Sequence, residues 1–157
     1  MDFGAIWSRD GRRVLGPSKS WSGFLFGGFV AMAPGLFMAW LILAAPPNLK
    51  LVPTFAPSVL DAVPVVAVLT FGAMVGDAFG SFLKRRLGRA SGSRAILLDQ
   101  LPFVLVPIAI GFAAYPSLFV PVFANGWGLL WLLVFTLGLH TLFNWIGYKA
   151  GLKKVPW

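Results

Sequence analysis

The chain has 157 residues, of which 58% are hydrophobic and only 11% are charged, and its mean hydropathy is +0.82. Soluble domains of this size carry about 25% charged residues, so the composition argues against a soluble protein and indicates a single membrane-embedded domain over residues 1–157. The net charge of +8 is typical of nucleic-acid-binding proteins, but its distribution along the chain argues against that class. Cysteine is absent, which excludes disulfides and thiolate metal sites.

Long uncharged runs predict four membrane-spanning helices. A bilayer core needs about 20 helical residues, and the predicted spans are residues 21–45, 60–83, 96–115 and 126–148. Residues 100–148, a stretch of 49 residues that contains no Lys, Arg, Asp or Glu, include nearly all of the last two spans. The turn between them is marked by Pro116, Pro121, Asn125 and Gly126. These runs lack the alternation of a membrane barrel, so the predicted fold class is an all-α, polytopic transmembrane bundle.

Basic residues concentrate on one side of the four predicted spans. Twelve Lys and Arg residues precede the first span, separate the second from the third or follow the fourth, whereas Lys50 alone falls in the other two loops. The twelve are Arg9, Arg12, Arg13, Lys19, Lys84, Arg85, Arg86, Arg89, Arg94, Lys149, Lys153 and Lys154. The positive-inside rule places this side in the cytoplasm, which predicts a multi-pass protein of the cytoplasmic membrane.

From residue 62 to residue 83, the second predicted span carries one charged residue, Asp77. On a helix, Asp77, Ser81 and Lys84 lie at i, i+4 and i+7 and share a face. A ridge of small residues, which lets another helix approach closely, runs beside them at Gly72, Gly76 and Gly80. We therefore expect the carboxylate to face the bundle interior. Two interpretations stay open: acids within a membrane are costly and usually functional, or Asp77 only pairs with a membrane-surface anchor at residues 84–86.

A second acid, Asp99, begins the third predicted span, 22 residues after Asp77. Two carboxylates at one membrane face, with a basic loop between them, can hold Mg²⁺ and a polyphosphate together. Mg²⁺ prefers one or two carboxylates plus substrate phosphates, and Lys and Arg match the phosphate charge. Gly88 and Gly92 do not have P-loop spacing. The sequence therefore predicts a Mg²⁺ and polyphosphate site of another kind.

The last predicted span carries Thr136, His140 and Asn144 at one-turn intervals. A lone His in such a helix is more often an interhelical hydrogen-bonding residue than a ligand. No HExxH or Ser–His–Asp pattern supports a catalytic base. We therefore expect His140 and Asn144 to support substrate binding rather than to carry the chemistry.

Three segments resemble the CDP-archaeol synthase family. DGRRVLGPSKSWSGFLFG, residues 10–27, is similar to the family's Gly-x-x-Lys-[Ser/Thr]-Trp segment. GDAFGSFLKRRLGRASGSRAILLDQ, residues 76–100, resembles its Gly-Asp…Ser-x-x-Lys-Arg-Arg…Asp-Gln signature, which bacterial phosphatidate cytidylyltransferases share more loosely. HTLFNWIGYKAGLKKVPW, residues 140–157, is similar to the family's C-terminus. The three matches follow the family's order along nearly the whole chain.

The resemblance implies an enzyme that transfers CMP from CTP to a membrane lipid phosphate, with Mg²⁺, at the cytoplasmic membrane face, giving a CDP-lipid and pyrophosphate. Phosphatidate-like and ether-lipid phosphates both stay open as the acceptor. The matching motifs imply that Asp77 and Asp99 are catalytic residues that bind the metal ion. They also imply that Ser81, Lys84 and Arg85 are catalytic residues that bind phosphate. The remaining substrate-binding candidates are Lys19, Ser20, Trp21, Arg86, His140 and Asn144.

Two departures separate the chain from this family. The family usually reads Asp-Gln-x-Asp at the third span, whereas this chain has Pro102 in place of the second acid, which leaves one metal ligand fewer. The family also commonly has a further helix before the Asp-Gly-Arg-Arg loop, which gives five spans. Two explanations for the four spans predicted here stay open: a misplaced start codon, and a genuine four-span variant. The alternative function is a non-catalytic membrane protein or an anion transporter on the same scaffold. Transporters often place their polar sites at the membrane midplane, whereas these polar residues gather at one face.

Overall fold

Four long helices and one short helix form most of the computed structural model, which describes residues 1–17, 19–49, 55–89 and 95–152. The helices are α1 (Trp21–Ala44), α2 (Val59–Arg86), α3 (Ile96–Ala114), α4 (Pro116–Phe123) and α5 (Trp127–Lys149). A 3-10 turn, Pro47–Leu49, follows α1. Within the described ranges there is no strand, only an isolated bridge between Ile6 and Arg13. The all-α prediction is confirmed.

The four long helices are each long and apolar enough to cross a membrane. Their bounds differ from the predicted spans by at most three residues at any end. Within α5, all of which the structure describes, no residue is buried, and Trp131, Phe135 and Phe143 are among its exposed side chains. Exposed aromatic and aliphatic side chains all round a helix are typical of a surface that faces lipid. The protein is therefore a multi-pass membrane protein with four spans in the described part of the chain.

Serines cap the first two long helices. Ser20 accepts a hydrogen bond from the Gly23 N–H at 3.0 Å, at the start of α1. Ser58 accepts one from the Asp61 N–H at 3.2 Å, at the start of α2. Each cap satisfies a backbone donor that has no partner within the first turn. Because Ser20 fixes the start of α1, Lys19 lies directly ahead of this helix.

Glycines on α2 allow α3 to pack closely against it. A Cβ atom added at Gly72 would lie 2.9 Å from the Pro107 Cα atom, and one added at Gly76 or Gly80 would clash with the backbone of α3. The predicted ridge of small residues is thus confirmed as the surface where two helices meet backbone to backbone. This packing brings the end of α2 next to the start of α3.

The connection between α3 and α5 differs from the prediction. Residues 116–126 were expected to form a turn, but Pro116 begins α4 and only the last three of these residues follow the helix. A proline at the first helical position loses no hydrogen bond, since the N–H there has no partner within the helix. Pro116 therefore starts a helix instead of marking a turn. Gly126 does turn the chain, with a φ of 77°.

Polar residues gather at one end of the bundle, where α1 and α3 begin and α2 and α5 end; we call this the basic end. An apolar cluster of Val65, Val104, Ile108 and Phe119 packs α2, α3 and α4 together away from it. Four of the basic residues used to predict the orientation lie outside the described residues: Lys50, Arg94, Lys153 and Lys154.

Residues 1–17, here named the N-terminal loop, fold over the basic end. The Asp2 carboxylate is 3% exposed and accepts hydrogen bonds from the Leu15 and Gly16 N–H groups at 2.9 and 3.1 Å. The Arg13 guanidinium donates to it at 2.9 Å. These donors, the Leu15 N–H above all, hold the pKa of Asp2 well below its usual value despite its burial. The ionised carboxylate of Asp2 therefore holds the N-terminal loop in place.

Candidate functional site

Two lysine–aspartate ion pairs connect separate segments at the basic end. Lys19, ahead of α1, pairs with Asp77 on α2, and Lys84 on α2 pairs with Asp99 on α3. The lysine side chains are 20% and 13% exposed, whereas the carboxylates are 45% and 32% exposed. Each acid therefore has its charge matched by an ammonium group and keeps an accessible side.

This pairing differs from the one suggested by helix spacing. Asp77 and Lys84 are seven residues apart, about 10 Å along the helix axis, which is too far for an ion pair between their side chains in this structure. Lys84 instead reaches Asp99, because the glycine ridge brings α3 close to the end of α2. The interpretation that Asp77 only pairs with the basic run at residues 84–86 is wrong. Ser81, between the two, is buried.

The two carboxylates face one cavity between α2, α3 and α5, which we call the carboxylate cavity. Its volume is about 590 Å³, within the range of about 300–1,000 Å³ for small-molecule sites. Its polar lining consists of Asp77, Asp99, Gln100, Thr136, His140 and Asn144. Its apolar lining consists of Met74, Phe103 and Leu139. The structure thus brings together four of the predicted site residues from three helices.

A smaller cavity, of about 200 Å³, lies on the other side of Asp77 against the start of α1. Lys19 and Ser20 line it, and it shares Met74 and Asp77 with the carboxylate cavity. Asp77 therefore stands at the junction of two cavities. Trp21 is 50% exposed and, among the described residues, is not part of either lining.

Gln100 is a site residue that the sequence prediction missed. It is 3% exposed, and its Nε2 atom lies 2.8 Å from His140 Nδ1. The Asn144 Nδ2 atom lies 3.1 Å from the same ring nitrogen, so the expected interhelical role of His140 is confirmed. The Gln100 Oε1 atom is buried and has no hydrogen-bond partner among the described residues. An unpaired buried acceptor costs about 1–3 kcal/mol, so this amide oxygen lacks the partner that buried acceptors normally have.

The oxygen donors of the carboxylate cavity fit a Mg²⁺ ion that substrate phosphates help to coordinate. The described residues contain no group of three or more His, Cys, Asp and Glu side chains that could hold a metal. Mg²⁺ does not need such a group, because it commonly takes one or two carboxylates together with phosphates and water. Asp77 and Asp99 supply two carboxylates to the lining of this cavity.

Pro102, at the position of the family's second acid, is buried on the α2 side of α3. A Cβ atom at Gly76 would clash with its carbonyl group, and one at Gly80 would lie 3.5 Å from its ring Cγ atom. It is the seventh residue of α3 and, in the described part of the chain, does not line the carboxylate cavity. Pro102 therefore contributes to helix packing in this protein.

The two arginines at the end of α2 lie apart from the carboxylate cavity. The Arg86 guanidinium donates to the Asp10 carboxylate at 2.6 Å and to two backbone carbonyls of the N-terminal loop at 2.6 and 3.3 Å. It also lies over the Trp7 and Phe82 rings, 5.6 and 5.1 Å from their centroids. Arg86, a predicted substrate-binding residue, thus holds the N-terminal loop against α2. Arg85 lines a separate cavity.

The whole chain, residues 1–157, matches a family model described as CarS-like CDP-archaeol synthase. The CDP-archaeol synthase of Thermococcus gammatolerans is 40% identical over 157 residues, which are all of this chain and 81% of the relative. That of Methanosarcina acetivorans is 39% identical over 95% of this chain and 85% of the relative. That of Picrophilus torridus is 36% identical over 94% of this chain and 78% of the relative. No solved structure matches the chain.

Proposed function

Because the chain belongs to the CDP-archaeol synthase family, we propose that it transfers CMP from CTP to an archaeol-type ether-lipid phosphate at the cytoplasmic membrane face, releasing pyrophosphate. It is a CTP-dependent cytidylyltransferase that acts on a lipid phosphate. One observation carries the proposal for the site: Asp77 and Asp99, from different helices, line one cavity at the end of a membrane-spanning bundle.

The reaction requires binding and charge neutralisation more than a protein nucleophile. An oxygen of the lipid phosphate attacks the α-phosphorus of CTP and forms a new P–O bond. The bond from the α-phosphorus to the oxygen that bridges to the β-phosphate breaks, and pyrophosphate leaves with that electron pair. Since the acceptor is already an anion, the protein has to hold two negatively charged substrates in line and offset their repulsion.

The residues of the carboxylate cavity suit this task. Asp77 and Asp99 would hold a Mg²⁺ ion, which supplies a template and a Lewis acid when bound. Lys19 and Lys84 pair with these carboxylates. We propose that the same two ammonium groups would neutralise the phosphates of bound CTP and of the bound lipid.

The apolar part of the same lining suits the lipid. Met74, Phe103 and Leu139 line the cavity beside the acids, so a lipid can keep its chains in apolar surroundings while its phosphate approaches Asp77 and Asp99. Lys19 and Ser20, in the smaller cavity across Asp77, are then proposed to contact the nucleotide. Gln100 and Asn144 hold the His140 ring from two helices.

Purified protein tests the proposed reaction with two labelled forms of CTP. With Mg²⁺ and a di-ether glycerol phosphate, CTP labelled at the α-phosphorus should give a labelled CDP-lipid, and CTP labelled at the γ-phosphorus should give labelled pyrophosphate in equal amount. A diacyl glycerol phosphate in a parallel reaction measures the preference for ether lipids. Absence of labelled lipid with every acceptor would contradict the proposal and favour the non-catalytic alternative.

The proposed orientation is tested by cysteine labelling, since the chain has no cysteine of its own. In intact cells, a cysteine at Arg89 should react only with a reagent that enters the cytoplasm. A cysteine at Ala124, at the opposite end of the bundle, should react with an impermeant reagent from outside. Labelling of both positions from the same side would refute the four-span orientation.

A further inference from the structure

A second polar cavity lies between the end of α2 and the N-terminal loop, and we call it the arginine cavity. Its volume is about 310 Å³. Its basic lining consists of Arg12, Arg13, Arg85 and Arg89, and Gly16, Pro17 and Gly88 complete it. Among the described residues, it shares no lining residue with the carboxylate cavity. Arg85 lies eight residues beyond Asp77, about 12 Å along the axis of α2.

Four arginines line the arginine cavity, and Asp2, which pairs with Arg13, lies outside the lining. None of its lining residues in the described part of the chain is Asp or Glu. The Nε atoms of Arg13 and Arg85 are buried and have no hydrogen-bond partner there. Buried donors without an acceptor are costly, and more so when they are charged. A phosphate that contacts the outer nitrogens of the guanidinium groups would reduce the repulsion between them.

The chain holds its arginines together by specific contacts. The Arg12 guanidinium donates to the backbone carbonyls of Arg85 and Arg86, at 3.3 and 3.2 Å, and so lies over the C-terminal end of α2. Gly88 makes room for it with a φ of 73°, and a Cβ atom there would lie 2.9 Å from the Arg12 Nη1 atom. On the side formed by the N-terminal loop, the Asp2 carboxylate accepts a hydrogen bond from Arg13 and holds its side chain in place.

We propose that the arginine cavity binds a phosphate group, separately from the carboxylate cavity. Guanidinium groups present planar pairs of donors that match phosphate oxygens. Two sources offer this group at the basic end: a soluble polyphosphate, such as pyrophosphate or the tail of a nucleotide, and the headgroup of an anionic bilayer lipid. The proposal does not rest on the cytidylyl transfer, because binding is measured here without turnover.

Footprinting of the wild-type protein tests the site and identifies the source. The protein is treated with phenylglyoxal, which modifies arginine, and each arginine is quantified by mass spectrometry. Pyrophosphate is added in lipid-free detergent in one arm. In the other, nanodiscs of phosphatidylglycerol are compared with nanodiscs of phosphatidylcholine. Arg12, Arg13 and Arg85 should be protected relative to Arg9, which is exposed in the same loop and does not line the cavity.

Each footprinting outcome is informative. Protection by pyrophosphate identifies a soluble phosphate site, protection by phosphatidylglycerol alone identifies a headgroup site, and protection by both supports a general phosphate site. Protection that is equal at Arg9 and Arg85, or absent in both arms, overturns the proposal. Because this experiment uses the wild-type protein, it does not depend on the folding of a variant.

A matched pair of variants then measures the contribution of the cavity itself. Arg85→Gln and Arg9→Gln remove the same charge, but only Arg85 lines the cavity. With the ligand that gives protection, Arg85→Gln should weaken binding by about tenfold or more, the effect of losing a charged hydrogen bond. Arg9→Gln should bind like the wild type. Equal weakening in the two variants would indicate diffuse electrostatic attraction and refute a built site.

Discussion

Replacing Asp77 with asparagine tests the candidate site at the junction of its two cavities. The substitution keeps the shape of the side chain and removes the charge that pairs with Lys19. If Asp77 is one of two carboxylates that hold Mg²⁺, its loss should raise the barrier to CMP transfer by at least about 2.7 kcal/mol. The value of kcat/KM for CDP-lipid formation should therefore fall by at least about 100-fold.

The same substitution should change the stability of the fold very little. Asp77 is 45% exposed, and ion pairs in contact with solvent contribute only about 0–1 kcal/mol. Asp99→Asn should cause a similar loss of activity but a larger loss of thermal stability, because it leaves Lys84, which is 13% exposed, without its partner. Thermal unfolding in detergent measures this difference between the two variants.

Asp61→Asn is the matched control on the same helix. Asp61 accepts a hydrogen bond from the Ser58 hydroxyl at 2.6 Å, at the start of α2, about 24 Å along the helix axis from Asp77. The control removes the same charge and should keep nearly the activity of the wild type. The role given to Asp77 would be refuted if Asp77→Asn kept more than about a tenth of the wild-type kcat/KM, or if the control lost as much.

Three further predictions follow from the packing around the site. Gly76→Ala should destabilise the fold by about 1–3 kcal/mol, because its Cβ atom would clash with the Pro102 carbonyl. The control is Gly138→Ala, whose added atom has no described residue within 4 Å; it should leave the unfolding temperature unchanged or raise it slightly, since alanine favours a helix more than glycine does. Arg86→Ala should increase hydrogen exchange in the N-terminal loop and lower activity by misplacing Lys19. In a Lys19→Ala background, Arg86→Ala should then cause no further loss of activity. If the losses caused by the two substitutions add, Arg86 contacts the substrate instead. Since the pKa of Asp2 is lowered in the folded state, its stabilising effect is complete above its unfolded value of about 3.9 and is lost as the pH falls below it. The protection of the N-terminal loop amides, relative to intrinsic exchange at the same pH, should therefore fall progressively below about pH 4 in the wild type and already be low at pH 6 in Asp2→Asn. Equal protection of the loop in both proteins at pH 6 would contradict this role.

The membrane spans were predictable because the bilayer acts on each of them separately. A segment must be apolar over about 20 residues to cross it, whatever its neighbours are, and the bounds of α1, α2, α3 and α5 follow that rule. The short helix α4 was not predictable in the same way. Proline occurs both in turns and at the first position of helices, and the sequence around Pro116 does not distinguish the two.

The partners of the charged residues depend on packing between helices. Lys84, Arg85 and Arg86 form one basic run in the sequence, but successive residues on a helix point about 100° apart. They accordingly reach Asp99, the arginine cavity and the N-terminal loop. The approach of α3 along the glycine ridge decides the first of these contacts, and no spacing within α2 alone predicts it.

Gln100 shows the same limit for neutral residues. It follows Asp99 in the Asp-Gln sequence that carried the family resemblance, which was the only signal available for it. Its role depends on α5, which brings His140 within hydrogen-bonding distance. From the sequence, Pro102 was expected to weaken the metal site because it replaces an acid. Its contact with Gly76 and Gly80 was not predictable, because that contact depends on how α3 packs on α2.

Metal rescue of cysteine variants tests most directly whether Asp77 and Asp99 together bind the divalent cation used in the transfer. The chain has no cysteine of its own, so Asp77→Cys and Asp99→Cys each introduce a single thiolate, which Cd²⁺ binds better than Mg²⁺ does. Both variants should be inactive in CDP-lipid formation with Mg²⁺ and regain activity when Cd²⁺ is added, whereas Asp61→Cys should be active with Mg²⁺ alone. Full activity of Asp77→Cys or Asp99→Cys with Mg²⁺, or rescue of neither by Cd²⁺, would contradict direct metal binding by these two carboxylates.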